Sequence, residues 1–236
     1  MGIREKFFQK IIVMILGVIG KGHWGNVYAK TIADLGLMCW QGGRGDMFPA
    51  DGVIIATPAE THYEIAFDLI DQGIPVLIEK PVCMSSNEAR SLLYLAEEDG
   101  IVFTGHTRLY SPLWRAYKAQ MPKGATKAVC EAGGPCKIDP WWDWGSHLVA
   151  MCIDLGLDPA ECEYNISSDR KPIKITVGDH VYVDKMSSPT PLEVLITEFV
   201  NAIAIGTPDV EGLRLGVKVV EMLESDAGTR ARATTA

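Results

Sequence analysis

The sequence lacks any excess of positive charge, because its 22 lysines and arginines face 30 aspartates and glutamates, for a net charge of −8. A surface of that sign repels phosphate backbones and anionic lipid, so we expect neither nucleic-acid nor membrane-surface binding. The six cysteines form no C-x-x-C pair, and several lie in apolar runs, where they are typical small core residues. This cysteine usage favours a reducing, cytoplasmic setting.

Long apolar runs, internal repeats and low-complexity stretches are missing as well. The opening residues, MGIREKFFQKIIVMILGVIG, resemble a secretory signal, but no small-x-small cleavage site follows them. The apolar run is too short to span a bilayer. We interpret residues 11–19 as a strand preceded by a polar lead. With 47% hydrophobic and 22% charged residues, the 236-residue chain has the balance of a soluble globular protein.

Strand and helix patterns alternate through the first hundred residues, which predicts a doubly wound parallel sheet. Only eleven residues separate Gln41 from Val53, too few for the usual helix and third strand, so this Rossmann sheet is abridged. Ser85 and Glu88 have the spacing of a capping box at the start of a helix. The predicted strands are residues 11–19, 37–41, 53–57, 76–78 and 101–104.

The pattern changes after about residue 121. Predicted strands cover residues 127–132, 161–167, 173–177 and 181–183, the last two joined as a hairpin across Gly178 and Asp179. Helices are predicted at residues 144–155, after a capping box of Thr190 and Glu193, and at residues 212–225, before a frayed TRARATTA tail. We therefore expect a dinucleotide-binding Rossmann domain (residues 1–121) and a smaller α+β domain (residues 122–236) with a mainly antiparallel open sheet.

A glycine turn follows the first strand in the stretch GKGHWGN. Gly20, Gly22 and Gly25 fit G-x-G-x-x-G between a strand and a helix, which indicates dinucleotide binding, with His23 and Trp24 inside the turn. The cofactor is then NAD or NADP.

The acid that normally binds the adenosine ribose is missing from the end of the second strand, which reads WQGGRGD. Arg44 suits a 2′-phosphate and would favour NADP, whereas Asp46 suits a ribose and would favour NAD. Both are equally well interpreted as plain loop residues.

Several stretches resemble the glucose-fructose oxidoreductase / inositol dehydrogenase (Gfo/Idh/MocA) family, in the order that the family shows. They are GKGHWGN, VIIATPAETHYEIAFDLIDQGIPVLIEKP, GHTRLYSPLW and WWDWGSHLVAMCIDLG. The resemblance implies a Rossmann domain, a C-terminal domain whose open sheet supports homo-oligomers, and hydride transfer between a nicotinamide cofactor and a hydroxyl carbon. The substrate class that it implies is a sugar, cyclitol or sugar nucleotide, and WDWGSH looks most like members that act on sugar nucleotides.

The resemblance also implies roles for three residues. Lys80 follows a parallel strand at the edge where such sheets bind ligands, and its ammonium can stabilise a reacting oxygen. His147 can take a hydroxyl proton near neutral pH, and Asp143, four residues earlier, can orient the imidazole or a sugar hydroxyl. A surface ion pair and a surface acid-histidine pair are the structural alternatives. No third ligand with suitable spacing accompanies Asp143 and His147, so no metal is expected.

Further residues are assigned by the same resemblance. Glu79 is expected to orient Lys80 or to face the cofactor. Tryptophans 141, 142 and 144 suit stacking on a sugar or base, although packing is the commoner role. Thr57, Pro58 and His62 are expected on the nicotinamide side, with a helix cap as the alternative for His62. His106, Arg108 and Tyr110 are expected on the substrate side, with a solvated arginine as the alternative for Arg108.

The sequence thus predicts an NAD(P)-dependent dehydrogenase acting on CH-OH groups. Two alternatives belong to other classes: a nucleotide-binding partner or scaffold protein without catalysis, and a reductase of an imine or a tetrapyrrole with the same cofactor.

Overall fold

The computed structural model describes residues 14–46, 49–121, 124–136 and 138–225. The polar lead, residues 11–13 of the predicted first strand and the TRARATTA tail lie outside the described residues, so the statements about them remain predictions.

The first sheet has five parallel strands in the order β2-β1-β3-β4-β5. The chain runs from β1 outward to β2 and then returns to the other side of β1, so the switch point lies between β1 and β3. In register, Ile19 lies beside Gly42 and Ile55, and Ile55 lies beside Ile78, so the carboxyl ends of these strands share one edge. The strands are β1 (Ile15–Ile19), β2 (Met38–Gly42), β3 (Gly52–Ile55), β4 (Val76–Ile78) and β5 (Val102–Thr104).

Helices cover both faces of this sheet, which explains why its strands are apolar on both sides. The helices are α1 (His23–Asp34), α2 (His62–Asp71), α3 (Ser86–Ala96), α4 (Pro112–Ala119), α5 (Ser146–Asp154), α6 (Pro191–Ile205) and α7 (Glu211–Glu224). One face packs against α1 and α6, and the other against α2, α3 and α7. Thus α6 and α7, although they follow residue 121, complete the layers over the first sheet.

The second sheet has the order β7-β6-β8-β9, and its strands are β6 (Val129–Gly133), β7 (Glu163–Ser167), β8 (Lys171–Val177) and β9 (His180–Val183). The β6–β7 pair is parallel and the other two pairs are antiparallel, as predicted for this sheet. Val177 pairs with His180, which confirms the hairpin across Gly178 and Asp179. A π-helical turn, Trp141–Gly145, precedes α5 and carries the chain past the edge of the first sheet.

The two predicted capping boxes have different outcomes. At α6, the Thr190 hydroxyl accepts from the Glu193 amide and the Glu193 carboxylate accepts from the Thr190 amide, so this box is confirmed. At α3, Ser85 holds the N-cap position but makes no capping bond, so that box is wrong. A side chain from a distant helix caps this end instead, because the Ser86 amide donates to Glu224 Oε2 of α7, at 2.9 Å. In the described part of the chain, no helix has the length and apolar character needed to cross a membrane.

Candidate functional site

The glycine turn lies at the switch point between β1 and β3. Gly20 has φ +133°, and a Cβ there would come within 2.4 Å of the Ala56 carbonyl oxygen. A Cβ on Gly25 would lie 2.0 Å from the Gly20 carbonyl oxygen, whereas one on Gly22 would meet nothing within 4 Å. The first and third glycines therefore allow close packing, and the second leaves open space beside the backbone. These are the properties that a bound pyrophosphate requires of this motif.

The N-terminus of α1 is also suited to an anion. Gly22 occupies its N-cap without a side-chain cap, and the first turn contains no acidic residue. The amides of that turn and the positive end of the helix dipole thus remain available to a phosphate group.

Lys80 and Asp143 meet at the carboxyl edge of the first sheet, although 63 residues separate them. The Lys80 ammonium donates to the Asp143 carbonyl oxygen at 3.0 Å and forms an ion pair with its carboxylate. The Lys80 side chain is 7% exposed and that of Asp143 is 28% exposed. An ammonium held in this way is a fixed, largely desolvated donor, which is a stronger electrostatic group than a lysine in water.

Glu79, the residue before Lys80, is buried and is bonded on its interior side. One of its carboxylate oxygens accepts from the Tyr28 hydroxyl at 2.7 Å, and the other accepts from the Lys80 backbone amide at 3.0 Å. Burial raises the pKa of Glu79, and burial followed by the charge of Glu79 raises that of Tyr28. Glu79 thus fixes the end of β4 against α1. Sequence reasoning missed Tyr28, because its position on the apolar stripe of α1 marks it only as a core residue.

Two buried imidazoles lie close enough to Lys80 for its charge to affect their pKa values. Burial and then Lys80 lower the pKa of His106 to about 3, and burial, Lys80 and Arg108 lower the pKa of His147 well below its ordinary value. His106 is 1% exposed and His147 is 9% exposed. Both ring nitrogens of His106 and Nδ1 of His147 have no hydrogen-bond partner among the described residues.

Unpartnered buried nitrogens are rare in folded proteins because each loses its hydration without compensation. Their concentration beside Lys80 indicates a place built for a polar ligand. The imidazole of His147 is neutral and can accept a proton.

The predicted contact between Asp143 and His147 is not formed. Asp143 lies in the π-helical turn, whose bonds run from i to i+5, so residues four apart do not stack as they do in an α-helix. Its carboxylate pairs with Lys80 instead. In this structure the Asp143 carboxylate therefore contacts the lysine and makes no hydrogen bond to the imidazole.

His62 connects two of the segments that leave the first sheet. Its ring nitrogens lie 2.9 Å from the Pro81 and Thr57 carbonyl oxygens, and the residue is 1% exposed. The Thr57 hydroxyl accepts from Thr61 at 2.7 Å, and Pro58 is exposed at the start of the following 3₁₀ turn. His62 is thus engaged in holding the backbone after β3 against the backbone after β4.

Three other residues named from the sequence are also engaged within the protein. Arg44 pairs with Glu64 of α2. Arg108 is not a solvated arginine, because it donates to Asp184 at 2.6 Å and is only partly exposed. The guanidinium carbon of Arg115 lies over the Tyr110 ring, 5.2 Å from the centre of that ring.

A cavity of about 680 Å³ lies between the glycine turn and the second sheet. Its lining residues come from the first turn of α1, the end of β6, the π-helical turn and the start of β8: His23, Trp24, Gly133, Gly134, Pro135, Trp144, Arg170, Lys171 and Pro172. The Trp144 ring centre lies 6.4 Å from that of His147, so this wall of the cavity lies beside the His147 imidazole. Sequence reasoning singled out Trp24 and Trp144 but not the two cations. Within the described ranges, no group of three His, Cys, Asp or Glu side chains is placed to hold a metal ion.

Known proteins resemble this chain in both sequence and fold. The GFO_IDH_MocA model, described as an oxidoreductase family with an NAD-binding Rossmann fold, matches residues 45–106. The rhizopine catabolism protein MocA of Rhizobium meliloti is 32% identical over 106 residues, which cover 35% of this chain and 33% of that protein. UDP-N-acetylglucosamine 3-dehydrogenase of Acidithiobacillus ferrooxidans is 31% identical over 124 residues, which cover 43% of this chain and 40% of that protein.

The chain thus matches a third to two fifths of the length of these curated relatives. The solved structure of UDP-N-acetylglucosamine 3-dehydrogenase GnnA from Acidithiobacillus ferrooxidans has a TM-score of 0.75 at 19% identity and covers 94% of this chain and 97% of that one. At such identity the likeness shows the fold. Together these matches confirm the resemblance to the Gfo/Idh/MocA family, the fold class and, at the level of the family, a nicotinamide cofactor.

Proposed function

We propose that this chain, which resembles the Gfo/Idh/MocA oxidoreductases in sequence and fold, transfers a hydride between NAD(P) and a hydroxyl or keto carbon. The proposed substrate is a sugar, a cyclitol or a sugar nucleotide. The observation that carries the proposal is a buried ammonium at the edge where open α/β sheets bind ligands, with two buried imidazoles near enough for its charge to lower their pKa values. Both ring nitrogens of one imidazole, His106, and Nδ1 of the other, His147, have no hydrogen-bond partner among the described residues.

Lys80 acts on the reacting oxygen in this proposal. Its ammonium, held by Asp143, donates a hydrogen bond to the substrate oxygen and stabilises the negative charge that develops when the carbon loses a hydride. The carboxylate of Asp143 fixes the ammonium in place. A bound nicotinamide ring supplies the hydride acceptor.

His147 moves the proton. Burial and neighbouring cations keep its imidazole neutral before the reaction, and the imidazole is proposed to accept the hydroxyl proton during oxidation and to return it during reduction. His106, also neutral and unpartnered, is proposed to receive a hydrogen bond from a second substrate hydroxyl.

The glycine turn fits the cofactor's pyrophosphate. Open space at Gly22 and an uncapped α1 provide the approach and the amide donors, and His23 and Trp24 lie in the same turn. Thr57, Pro58 and Glu79 belong to the segments that flank this region.

NAD is the proposed preference at the adenosine end. A tight turn brings Asp46 back to the end of β2, where its carboxylate accepts from the Gly43 amide at 2.8 Å. That bond and Lys21 at 3.6 Å lower the pKa of Asp46, so it is a carboxylate placed where the ribose-binding acid is usually found. Arg44, the candidate for a 2′-phosphate, is paired with Glu64.

Assembly through the second sheet and a cytoplasmic location are also proposed. So is the division into residues 1–121 and 122–236, with α6 and α7 of the second part returning to cover the first sheet. The small-molecule substrate would enter from the cavity side of Trp144.

The test is a turnover assay with a matched lysine control. The purified protein is incubated with NAD and with NADP, and UDP-sugars and free polyols are screened by the absorbance of the reduced cofactor. Wild type and Lys30→Ala, a change at an exposed lysine paired with Asp34, should both turn over at least one substrate, and Lys80→Ala should not. If the wild type binds NADH but is inert with the whole panel, the enzyme proposal is wrong. If His147→Ala keeps full activity, His147 is not the base, and this outcome supports the alternative of a reductase acting on an imine or a tetrapyrrole.

A further inference from the structure

The cavity between the glycine turn and the second sheet has a charge unlike that of the rest of the molecule. Arg170 and Lys171 line it, no carboxylate is among its lining residues, and the whole chain carries a net charge of −8. In the part of the chain that the structure describes, neither cation makes an ion pair. Other cations near the proposed site are paired. Lys21, Lys80 and Arg108 each form an ion pair with an aspartate.

The backbone holds these two cations at the wall of the cavity. Lys171 opens β8 and pairs in register with Gly133 at the end of β6. A Cβ on Gly133 would lie 2.4 Å from the Asp169 carbonyl oxygen, so the turn that carries Arg170 is packed against the end of β6. Their side chains are exposed, and they therefore face solvent and cavity together.

Two indoles supply the apolar part of the cavity. Trp144 donates to the Gly134 carbonyl oxygen at 3.2 Å, and a Cβ on Gly134 would come within 2.9 Å of its ring, so this indole is fixed. Trp24, opposite, leaves 43% of its surface exposed, which is unusual for so large an apolar side chain. The pair offers flat faces to a base or a sugar ring.

We infer that this cavity binds the phosphate-bearing part of the substrate, with Arg170 and Lys171 contacting a diphosphate and Trp24 and Trp144 contacting the group attached to it. The inference rests on the proposed function and narrows its substrate class to a nucleoside diphosphate sugar. The cavity's volume of about 680 Å³ lies within the range of small-molecule sites, roughly 300–1,000 Å³.

The cofactor is the other possible source of a pyrophosphate. The amides of α1 and the open side of Gly22 lie on the Rossmann side of the cavity, whereas Arg170 and Lys171 project from the second sheet opposite. Two anionic groups can therefore be bound by separate walls, and the cations of the second sheet are assigned to the substrate.

The experiment measures UDP and uridine binding by calorimetry, with the protein saturated with NADH so that the cofactor's own site is filled. The variants are Arg170→Ala/Lys171→Ala and a control, Lys30→Ala/Lys218→Ala, that removes the same charge from exposed helix positions. The wild type and the control should bind UDP at least tenfold more tightly than uridine. The Arg170→Ala/Lys171→Ala variant should lose about tenfold in UDP affinity, as expected for two exposed charge-assisted contacts, with no change for uridine.

NADH affinity, measured separately by fluorescence, should be the same in all three proteins. Equal binding of UDP and uridine by the wild type, or unchanged UDP affinity in the cavity variant, would overturn the inference. A loss of NADH affinity as large as the loss of UDP affinity would reassign the two cations to the cofactor and overturn it as well. Turnover of an uncharged polyol without UDP binding would contradict this inference and leave the proposed function standing. UDP binding without turnover of any substrate would contradict the proposed function and leave the assignment of the cavity to a diphosphate standing.

Discussion

Replacing His106 with leucine should make the protein less sensitive to acid. In the folded protein, burial and Lys80 lower the pKa of His106 to about 3, whereas in the unfolded chain it should be about 6.5. Between these values the unfolded state binds a proton that the folded state does not. The stabilising contribution of the neutral ring is therefore complete above the unfolded pKa and is lost progressively as the pH falls below it.

The magnitude follows from the linkage relation. Between pH 7.5 and pH 5.5, the unfolded histidine changes from mostly neutral to mostly protonated while folded His106 stays neutral, which costs about 1.4 kcal/mol of the free energy of unfolding. His147, whose pKa is lowered in the same direction, is present in both the wild type and the variant. The difference between the two proteins isolates His106.

Urea unfolding at the two pH values, followed by tryptophan fluorescence, measures the effect. The stability of His106→Leu should fall by about 1.4 kcal/mol less than that of the wild type over this interval. His180→Leu, which changes an exposed histidine on β9 and keeps His106, should follow the wild type. Identical losses in all three proteins would refute the claim that His106 is buried in its neutral form. They would also refute the inference that the buried imidazoles near Lys80 mark a place for a polar ligand.

Three further predictions test other parts of the structure. Lys80→Met should lower kcat by about 10²–10³, as loss of one oxyanion donor does, while NADH affinity by fluorescence stays within about threefold; an unchanged kcat contradicts the role of Lys80. Gly25→Ala should weaken NADH binding at least tenfold, because its Cβ would lie 2.0 Å from the Gly20 carbonyl oxygen, and wild-type affinity would show that the turn does not bind the cofactor. Tyr28→Phe should cost about 1–3 kcal/mol in urea unfolding, because it leaves one oxygen of buried Glu79 without its donor, and a neutral result would mean that water replaces the hydroxyl.

Local patterns were predictable from the sequence, because their causes lie within a few residues of one another. The glycine turn, the alternation of strands and helices, the hairpin across Gly178 and Asp179 and the capping box at Thr190 all appear in the structure. The family resemblance added the positions of Lys80, Asp143 and His147, and their roles stay proposals.

The partners of individual side chains were not predictable, because they come from distant parts of the chain. Asp143 pairs with Lys80 instead of His147, and the first amide of α3, that of Ser86, donates to Glu224 of α7. Glu79 binds Tyr28 although 51 residues separate them.

The order of the elements and the glycine turn after β1 could be predicted from the residues alone, since hydrophobic period and glycine placement act over one or two turns of chain. The three-dimensional packing of distant segments was needed to show which charges meet, which imidazoles lose their water and which wall of the cavity carries unpaired cations. Burial and pairing depend on where distant segments pack, and they set the pKa values and the electrostatic strength from which the proposed chemistry follows.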